Sequence, residues 1–172
     1  MPYFEDDRIQ AVSLNFSSGG ALLIMLPRHE SGVELLRGMS EQYFAEILSG
    51  LSREEGRLLL PRFTLESDEI DLLDALGILG VPLMNPLSGG ITELALETNL
   101  FIGGGIQRAM IEVDERGATA AAVTFYEVED EADEDPVIPF EMICNRPFAF
   151  ILYLPTFDGG AQILFTGVVN QP

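Results

Sequence analysis

The stretch NRPFAFILYLPTFDGGAQILFTGVVN, residues 145–170, decides the fold class of this chain. It contains two apolar runs, Phe148–Leu154 and Ile163–Val169, which flank a Thr-Phe-Asp-Gly-Gly turn. Continuous apolar runs that end at turn residues are typical of strands with two buried faces. The stretch therefore predicts a β-hairpin that is hydrophobic on both faces.

A second hairpin is predicted near the start of the sequence. Apolar and polar residues alternate from Ile9 to Phe16, and Ser-Ser-Gly-Gly at 17–20 interrupts the pattern. The run Ala21–Leu26 is then wholly apolar and ends at Pro27. Together these segments predict a hairpin whose second strand is buried on both faces.

Apolar residues recur at helical spacing across Gly32–Ser52, where they predict two short helices. Ser40, followed by Glu41, is the predicted cap of the second helix. A third helix is predicted to be capped by Ser67 and to end at Gly77, because serine is a preferred cap and glycine a common terminator.

Further strands are predicted over Arg57–Glu66, around Leu100–Ile102 and over Ala109–Val113. Pro61 lies within the first of them and indicates a bulge or an edge position, because proline cannot donate a backbone hydrogen bond. Few helices combined with mainly antiparallel strands give an α+β fold class.

The charge balance excludes two classes of partner. The 172 residues include 28 Asp and Glu against 9 Lys and Arg, a formal net charge of −19. Such a surface repels nucleic-acid phosphates and anionic lipid, and no run of Lys or Arg offsets it. The sequence has no apolar run of transmembrane length, and the acidic segment after Met1 and Pro2 does not predict a signal peptide. We therefore expect neither a nucleic acid nor a membrane as partner.

Residues suited to enzyme chemistry are sparse. Cys144 is the only cysteine and His29 the only histidine, so the sequence offers neither an internal disulfide nor a zinc cluster. His29 is predicted to be a solvated turn residue, and no G-x-S-x-G motif accompanies it. The acidic run Glu127–Asp135 lacks the glycine and glutamate that an EF-hand calcium loop requires. We expect no enzymatic activity, no cofactor and no metal site.

Five groups of residues, in order along the chain, resemble the motifs of one protein family. They are Leu60-Pro61-Arg62-Phe63, Leu76-Gly77-Ile78 with Leu87-Ser88-Gly89-Gly90-Ile91, Ile111-Glu112-Val113-Asp114-Glu115-Arg116-Gly117, Asn145-Arg146-Pro147-Phe148 and Leu164-Phe165-Thr166-Gly167-Val168-Val169-Asn170. In this order they resemble the serpins, a family of serine protease inhibitors. The resemblance implies that residues 1–172 are the carboxy-terminal part of a serpin domain, with the amino-terminal half of the fold absent.

The resemblance also implies a bait loop, residues 117–139. In serpins this loop is offered to a protease, is cut, and then inserts as a new strand in the large sheet. The implied hinge of the insertion consists of Glu115, Gly117, Ala118, Thr119, Ala120, Ala121 and Ala122. Counting along the loop as in inhibitory serpins places the cut bond between Glu131 and Ala132, and bonds from Glu129 to Asp135 remain alternatives.

Insertion as a strand would bury every second residue of the bait loop, so one set of alternate positions must suit a buried surface. One set of alternate positions carries no charge; it consists of Ala118, Ala120, Ala122, Thr124, Tyr126 and Val128. The nearest glutamates, Glu127 and Glu129, fall on the other set. The pattern favours insertion, because burying an unpaired carboxylate is costly.

The function implied by the resemblance is suicide-substrate inhibition of a serine protease, and the acidic cut site favours a protease that cleaves after acidic residues. The alternative is a non-inhibitory, serpin-like binding or storage protein. The expected partners are the target protease and a companion chain, or a second copy, that supplies the missing half of the fold. The family implies an extracellular location, with the cytoplasm as the alternative.

Overall fold

A computed structural model describes residues 1–17, 19–81, 104–114, 139–157 and 160–172. The chain forms two compact units, Met1–Phe63 with Glu112–Pro172, and Thr64–Ile111. In chain order the elements are β1 (Pro2–Glu5), β2 (Ile9–Asn15), β3 (Ala21–Pro27), α1 (Gly32–Arg37), α2 (Glu41–Gly50), β4 (Ser52–Arg53), β5 (Gly56–Leu59), β6 (Phe63–Glu66), β7 (Ile70–Asp71), α3 (Leu72–Ile78), β8 (Ile106–Gln107), β9 (Met110–Val113), β10 (Phe140–Ile143), β11 (Phe148–Pro155) and β12 (Ala161–Val169). The predicted α+β class is confirmed.

Six strands form the main sheet, in the order β12-β11-β3-β2-β1-β4. Both predicted hairpins are confirmed, because β2 pairs antiparallel with β3 and β11 pairs antiparallel with β12. β11 also pairs antiparallel with β3, so the two hairpins join at the centre of the sheet. Two apolar runs that are far apart in the sequence thus become neighbouring strands.

The main sheet supplies the core. Every residue of β3 is buried, as its apolar run predicts. On one face of the sheet, Leu23 and Ile151 belong to a buried cluster that also contains Leu35 of α1 and Ile47 of α2. Truncating a buried Leu or Ile of this kind to Ala typically costs about 2–5 kcal/mol. The main sheet and its two helices therefore form the hydrophobic core of the first unit.

Both helices predicted over Gly32–Ser52 are present. Ser40 caps α2 as predicted, and its hydroxyl accepts a hydrogen bond from the backbone N–H of Tyr43 at 3.1 Å. α1 begins with a capping box, in which the Ser31 hydroxyl accepts from the Glu34 N–H and the Glu34 carboxylate accepts from the Ser31 N–H. These bonds satisfy backbone donors that have no partner inside the helix.

The single strand predicted over Arg57–Glu66 is wrong. The structure has two strands there, β5 and β6, and Pro61 lies between them. β5 pairs with β10 and β6 pairs with β9, so the two halves of the segment belong to different sheets. Proline has no N–H to donate, and it therefore suits the break between two ladders better than the interior of one.

The third helix begins later than predicted. Its cap is Asp71, whose carboxylate accepts from the backbone N–H of Leu73 at 2.9 Å and of Asp74 at 3.4 Å. Ser67, the predicted cap, instead pairs with Ala109: its N–H donates to the Ala109 carbonyl at 2.8 Å, and its hydroxyl accepts from the Ala109 N–H at 2.9 Å. A partner distant in the sequence thus overrides the local preference of serine for a helix start.

The end of α3 is Ile78, one residue after the predicted Gly77. Gly80 follows with a φ of +78°, a left-handed conformation that glycine adopts without strain. Its N–H donates to the Gly77 carbonyl at 3.0 Å, and the Val81 N–H donates to the Leu76 carbonyl at 2.9 Å. This is a Schellman motif, so Gly80 and not Gly77 ends the helix.

Two strands are predicted after the third helix. The one over Ala109–Val113 is confirmed as β9, and the one around Leu100–Ile102 lies outside the described residues. Within Thr64–Ile111, β7 pairs antiparallel with the two-residue strand β8, which the sequence does not predict.

Candidate functional site

The structure describes the segments on either side of the predicted bait loop, 117–139. The hinge and cut-site residues named from the sequence all lie within 115–138, outside the described residues. They are Glu115, Gly117, Ala118, Thr119, Ala120, Ala121, Ala122, Glu131 and Ala132. The described candidate site therefore consists of β9, which precedes the predicted bait loop, and β10, which follows it.

On the amino-terminal side, the strand that precedes the predicted bait loop is paired. β9 pairs with β6 in a two-stranded sheet and ends at Val113, whose side chain is buried. The two hydrogen bonds between Ser67 and Ala109 lie just beyond the sheet and tie the same two segments together. The predicted hinge begins at Glu115, two residues after the end of β9, whose described partner is β6.

On the carboxy-terminal side, β10 pairs parallel with β5, from Phe140 opposite Gly56 to Ile143 opposite Leu59. The ladder is extended at both ends, where the Phe140 N–H donates to the Glu55 carbonyl at 3.1 Å and the Cys144 N–H donates to the Leu59 carbonyl at 2.9 Å. The first residue after Pro139 is therefore already fixed by backbone hydrogen bonds.

An aromatic stack fixes the same position. The rings of Tyr3 and Phe140 are parallel, with centroids 4.0 Å apart and 6° between the planes, and both side chains are buried. Gly56 lies against the Phe140 ring, and a Cβ added to this glycine would lie 2.5 Å from Phe140 Cε1. Only a residue without a side chain allows this approach, so Gly56, Phe140 and Tyr3 form one packed unit, the loop foot.

Polar contacts surround the loop foot. The Gln10 side-chain amide donates to the Glu141 carbonyl at 3.2 Å, and Arg57 forms an ion pair with the Glu141 carboxylate. Both partners of this ion pair are more than half exposed, so it contributes at most about 1 kcal/mol. The aromatic packing and the backbone ladder provide most of the anchoring.

The hydroxyl of Tyr3 is held by two neighbours. It donates to the Glu5 carboxylate and accepts from the Gln10 amide at 2.9 Å. Burial, followed by the hydrogen bond to Glu5, raises the pKa of Tyr3 to about 12. The phenol is therefore neutral at physiological pH, where it positions the ring that supports Phe140.

Two of the sequence motifs meet in the core of the first unit. The ring of Phe63, from Leu-Pro-Arg-Phe, lies edge-on to that of Phe148, from Asn-Arg-Pro-Phe, with centroids 5.7 Å apart. Phe63 also packs against Phe150 at 5.6 Å, and Arg146 donates to the Pro27 carbonyl at the end of β3. The second motif thus ties the segment after β10 to the main sheet.

The other residues with reactive side chains are not part of this site. Cys144 is buried, and burial raises the pKa of its thiol to about 12, which keeps it in the unreactive neutral form. His29 is exposed beside Glu5, Asp6 and Arg28, as expected of a solvated turn residue. Within the described residues no cluster of three or more metal-binding side chains occurs. No helix in the described part of the chain is both long and apolar enough to span a bilayer.

The sequence does not predict the loop foot. The segment Phe140–Ile143 alternates buried and less buried residues, but it is only four residues long and follows an acidic run. Gly56 and Tyr3 belong to no recognisable sequence motif. A glycine is required at position 56 because the ring of Phe140, 84 residues further along the chain, packs against it. The alternation of Phe140 and Met142 with polar or exposed neighbours is the one signal that could have indicated β10.

Comparisons of the sequence with a family model and with known proteins indicate the same family. The family model Serpin (serine protease inhibitor) matches residues 1–172. Iripin-5 from Ixodes ricinus is 28% identical over 166 residues, which cover 95% of this chain and 41% of that protein. Serine protease inhibitor 88Ea from Drosophila melanogaster is 29% identical over 177 residues, which cover all of this chain and 40% of that protein.

A solved structure shows the same fold. The crystal structure of mouse protein-Z dependent protease inhibitor matches with a TM-score of 0.72 at 22% sequence identity, over 99% of this chain and 42% of that one. The chain therefore spans about two fifths of the length of the proteins it matches.

Proposed function

Because the chain belongs to the serpin family, we propose that it carries the bait loop of a suicide-substrate inhibitor of a serine protease. Residues 117–139 are the loop that the protease binds. Glu115, Gly117 and the segment Ala118–Ala122 form the hinge, and the bond between Glu131 and Ala132 is the one that is cut.

The observation that carries this proposal is that both ends of the bait loop are held. β9 is paired with β6 before the loop, and Phe140 is fixed on Tyr3 and Gly56 immediately after it. Because both ends are fixed, the loop stays accessible to a protease and does not pack against the rest of the chain. Once cut, the amino-terminal part is released from the loop foot while it stays joined to a strand.

The proposed cleavage of the bait loop is an acyl transfer to the protease. The serine hydroxyl of the protease attacks the carbonyl carbon of Glu131, an ester bond forms to the serine oxygen, and the peptide bond to Ala132 breaks. The proton of the hydroxyl passes to the nitrogen of Ala132, which becomes a new amino terminus. Insertion of the loop before water hydrolyses the ester would trap the protease on Glu131.

The driving force of the insertion comes from new backbone hydrogen bonds. About a dozen such bonds, each with a net contribution near 1 kcal/mol, supply on the order of 10 kcal/mol. The uncharged set of alternate positions, from Ala118 to Val128, allows one face of the new strand to be buried without burying a carboxylate.

The preferred target is a protease that cleaves after acidic residues. The segment Glu127–Asp135 contains seven carboxylates and no Lys or Arg. A specificity pocket with cationic groups or strong hydrogen-bond donors would accept Glu131, whereas the aspartate in a trypsin-like pocket would repel it.

We propose that insertion also involves parts of the serpin fold that lie outside residues 1–172. Insertion needs a slot between two strands, and β9 supplies one side of it. We propose that a companion polypeptide, or a second copy, supplies the other side, and that the active protein is extracellular. Sedimentation of the purified chain tests this part, because a stable, well-folded monomer that inhibits a protease would contradict it.

A transplant of the bait loop tests the function itself. Residues 114–139 would replace the corresponding segment of Serine protease inhibitor 88Ea, and the chimera would be incubated with a serine protease that cleaves after glutamate. A complex that survives boiling in detergent supports the proposal. Cleavage of the chimera without any such complex would favour the alternative, a non-inhibitory binding or storage protein.

A further inference from the structure

The sequence contains one motif that the proposed function does not use, Asn15-Phe16-Ser17. An asparagine followed by any residue except proline, and then by serine or threonine, is the acceptor for N-linked glycans in secreted proteins. The other four asparagines, at positions 85, 99, 145 and 170, have neither serine nor threonine two positions later. Asn15 is therefore the only acceptor of this kind in residues 1–172.

Asn15 lies where a buried strand reaches the surface. It is the last residue of β2, and the residues from Ala11 to Ser13 before it are buried. Asn15 and Ser17 are both exposed. Because residues two apart on a strand share a face, Asn15 lies on the same face as Ser13 but beyond the core. An ordered strand thus positions the Asn15 side chain in contact with solvent.

The turn after β2 is closed by the backbone. The Phe16 N–H donates to the Gly20 carbonyl at 2.7 Å, and the Gly19 N–H donates to the Phe16 carbonyl at 3.0 Å. Gly19 has a φ of +95°, a conformation that glycine adopts without strain. A substituent on the Asn15 side chain would break none of these bonds.

The side-chain amide of Asn15 can take a sugar without losing a contact. Its Oδ1 accepts a hydrogen bond from the Ser13 hydroxyl at 3.4 Å. The amide nitrogen, to which an N-linked sugar is attached, donates to none of the residues that the structure describes. Within this part of the chain, attachment therefore leaves every hydrogen bond intact.

The position of Asn15 also keeps a glycan away from the loop foot. Gln10, on the same strand, donates to the Tyr3 hydroxyl at 2.9 Å and to the Glu141 carbonyl at 3.2 Å. At a rise of about 3.3 Å per residue, Asn15 lies about 17 Å further along β2 than Gln10. A glycan on Asn15 is thus compatible with the packing of Phe140.

We propose that Asn15 is a site of N-linked glycosylation. The donor is an oligosaccharide linked through pyrophosphate to a lipid. The Asn15 amide nitrogen forms a bond to the anomeric carbon of the first sugar, while the bond from that carbon to the pyrophosphate oxygen breaks. The lipid pyrophosphate leaves, the amide loses one proton to a base, and no group is oxidised or reduced. This inference rests on the proposed function only in placing the protein outside the cell.

Expression behind a cleavable secretion leader in a eukaryotic cell line tests the site. The chain should show a mass increase that peptide N-glycosidase removes, and tandem mass spectrometry should then find aspartate at position 15. Asn15→Gln and Ser17→Ala should each abolish the mass increase, and Ser17→Thr should retain it. Asn145→Gln is the matched control, because Asn145 is also exposed but precedes Arg146 and Pro147, and it should retain the full increase.

The cell extract is analysed together with the medium, so that a variant that folds poorly and is retained still reports on the site. Removal of the leader confirms that the chain has entered the secretory pathway. An entered chain without the mass increase would overturn the inference, as would an increase that persists in Asn15→Gln. Failure of the loop transplant to trap a protease would leave these results unaffected, so the two proposals fail separately.

Discussion

The rings of Tyr3 and Phe140 stack in parallel with their centroids 4.0 Å apart, which joins the first strand of the main sheet to the first residue after the predicted bait loop. Stacked aromatic pairs contribute about 0.5–1.5 kcal/mol beyond the area that they bury. Phe140 also begins the parallel ladder with β5. The position of Phe140 is therefore set by residues that are remote in the sequence.

Gly56→Ala should loosen the loop foot. The added methyl group would lie 2.5 Å from Phe140 Cε1, so the ring must move off Tyr3. We expect a loss of about 1–3 kcal/mol in the free energy of unfolding, as for other overpacked sites, measured by denaturant titration. Gly77→Ala is the matched control, because a Cβ there meets nothing within 4 Å and the helix should be stabilised or unchanged. Equal destabilisation by both substitutions would show that the contact with Phe140 is not the cause.

The free energy of unfolding should fall at alkaline pH. Burial raises the pKa of Cys144 to about 12 from an ordinary value of 9.0, and burial with the Glu5 hydrogen bond raises that of Tyr3 to about 12 from 10.0. Both groups stay protonated in the folded chain while the unfolded chain loses their protons, so rising pH favours unfolding. The full contribution is present below about pH 9 and is lost as the pH approaches 12.

Once a group is ionised in the unfolded chain, it should lower the free energy of unfolding by about 1.4 kcal/mol for each further pH unit. Urea titrations between pH 8 and about pH 11 would measure it. Cys144→Ala should remove the decline that begins near pH 9 and leave the later decline due to Tyr3 and to Tyr43, since burial and a hydrogen bond to Asp6 also raise the pKa of Tyr43. A free energy of unfolding that rises with pH over this interval would contradict the assigned shifts.

The sequence predicts those parts of the fold that depend on long apolar runs. Two such segments are the run Ala21–Leu26 and the hairpin from Phe148 to Val169. Each contains enough apolar residues to predict its strands without knowledge of their partners, and both predictions are confirmed. Segments of two to four residues, such as Ser52–Arg53 and Ile106–Gln107, have no periodicity to detect. Their pairing depends on partners that only the folded chain brings near.

The errors have a common physical cause. Ser67 and Asp71 are both good helix caps in isolation, and the choice between them is made by Ala109, which engages Ser67 in two hydrogen bonds. Gly56 is read as an ordinary glycine until Phe140 is placed against it. In the candidate site, the bait loop that the sequence predicts by resemblance and by alternation lies outside the described residues and stays a prediction, and the sequence does not predict the residues that fix Phe140.

Ala120→Glu or Ala122→Glu should convert the inhibitor into a substrate. Both side chains belong to the uncharged set that must be buried on insertion, where a carboxylate has no partner. In the loop transplant, cleavage should continue while the detergent-resistant complex disappears. Ala121→Glu is the matched control, because it lies on the set that already carries Glu127 and Glu129, and it should retain the complex. Inhibition that is unchanged by all three substitutions would remove insertion from the account.

Proteases that cleave after acidic residues should cut the bait loop faster than trypsin-like enzymes. The reason is the carboxylate-rich segment Glu127–Asp135 and the absence of Lys and Arg between Gly117 and Glu141. Mass spectrometry of the released peptide should find Ala132 at its amino terminus. A dominant cut at Phe125 or Tyr126 would show that the count along the loop is wrong, because too little strand would remain to insert.

The central claim is that a protease becomes trapped on Glu131 by an ester bond, and the mass of the trapped species tests it most directly. Intact-mass spectrometry of the detergent-resistant band from the loop transplant should give the sum of the protease and the chimera without the peptide that begins at Ala132. Digestion of the band should link the catalytic serine of the protease to the carbonyl of Glu131. Detection of only free protease and cleaved chimera, at every time and ratio, would contradict the account.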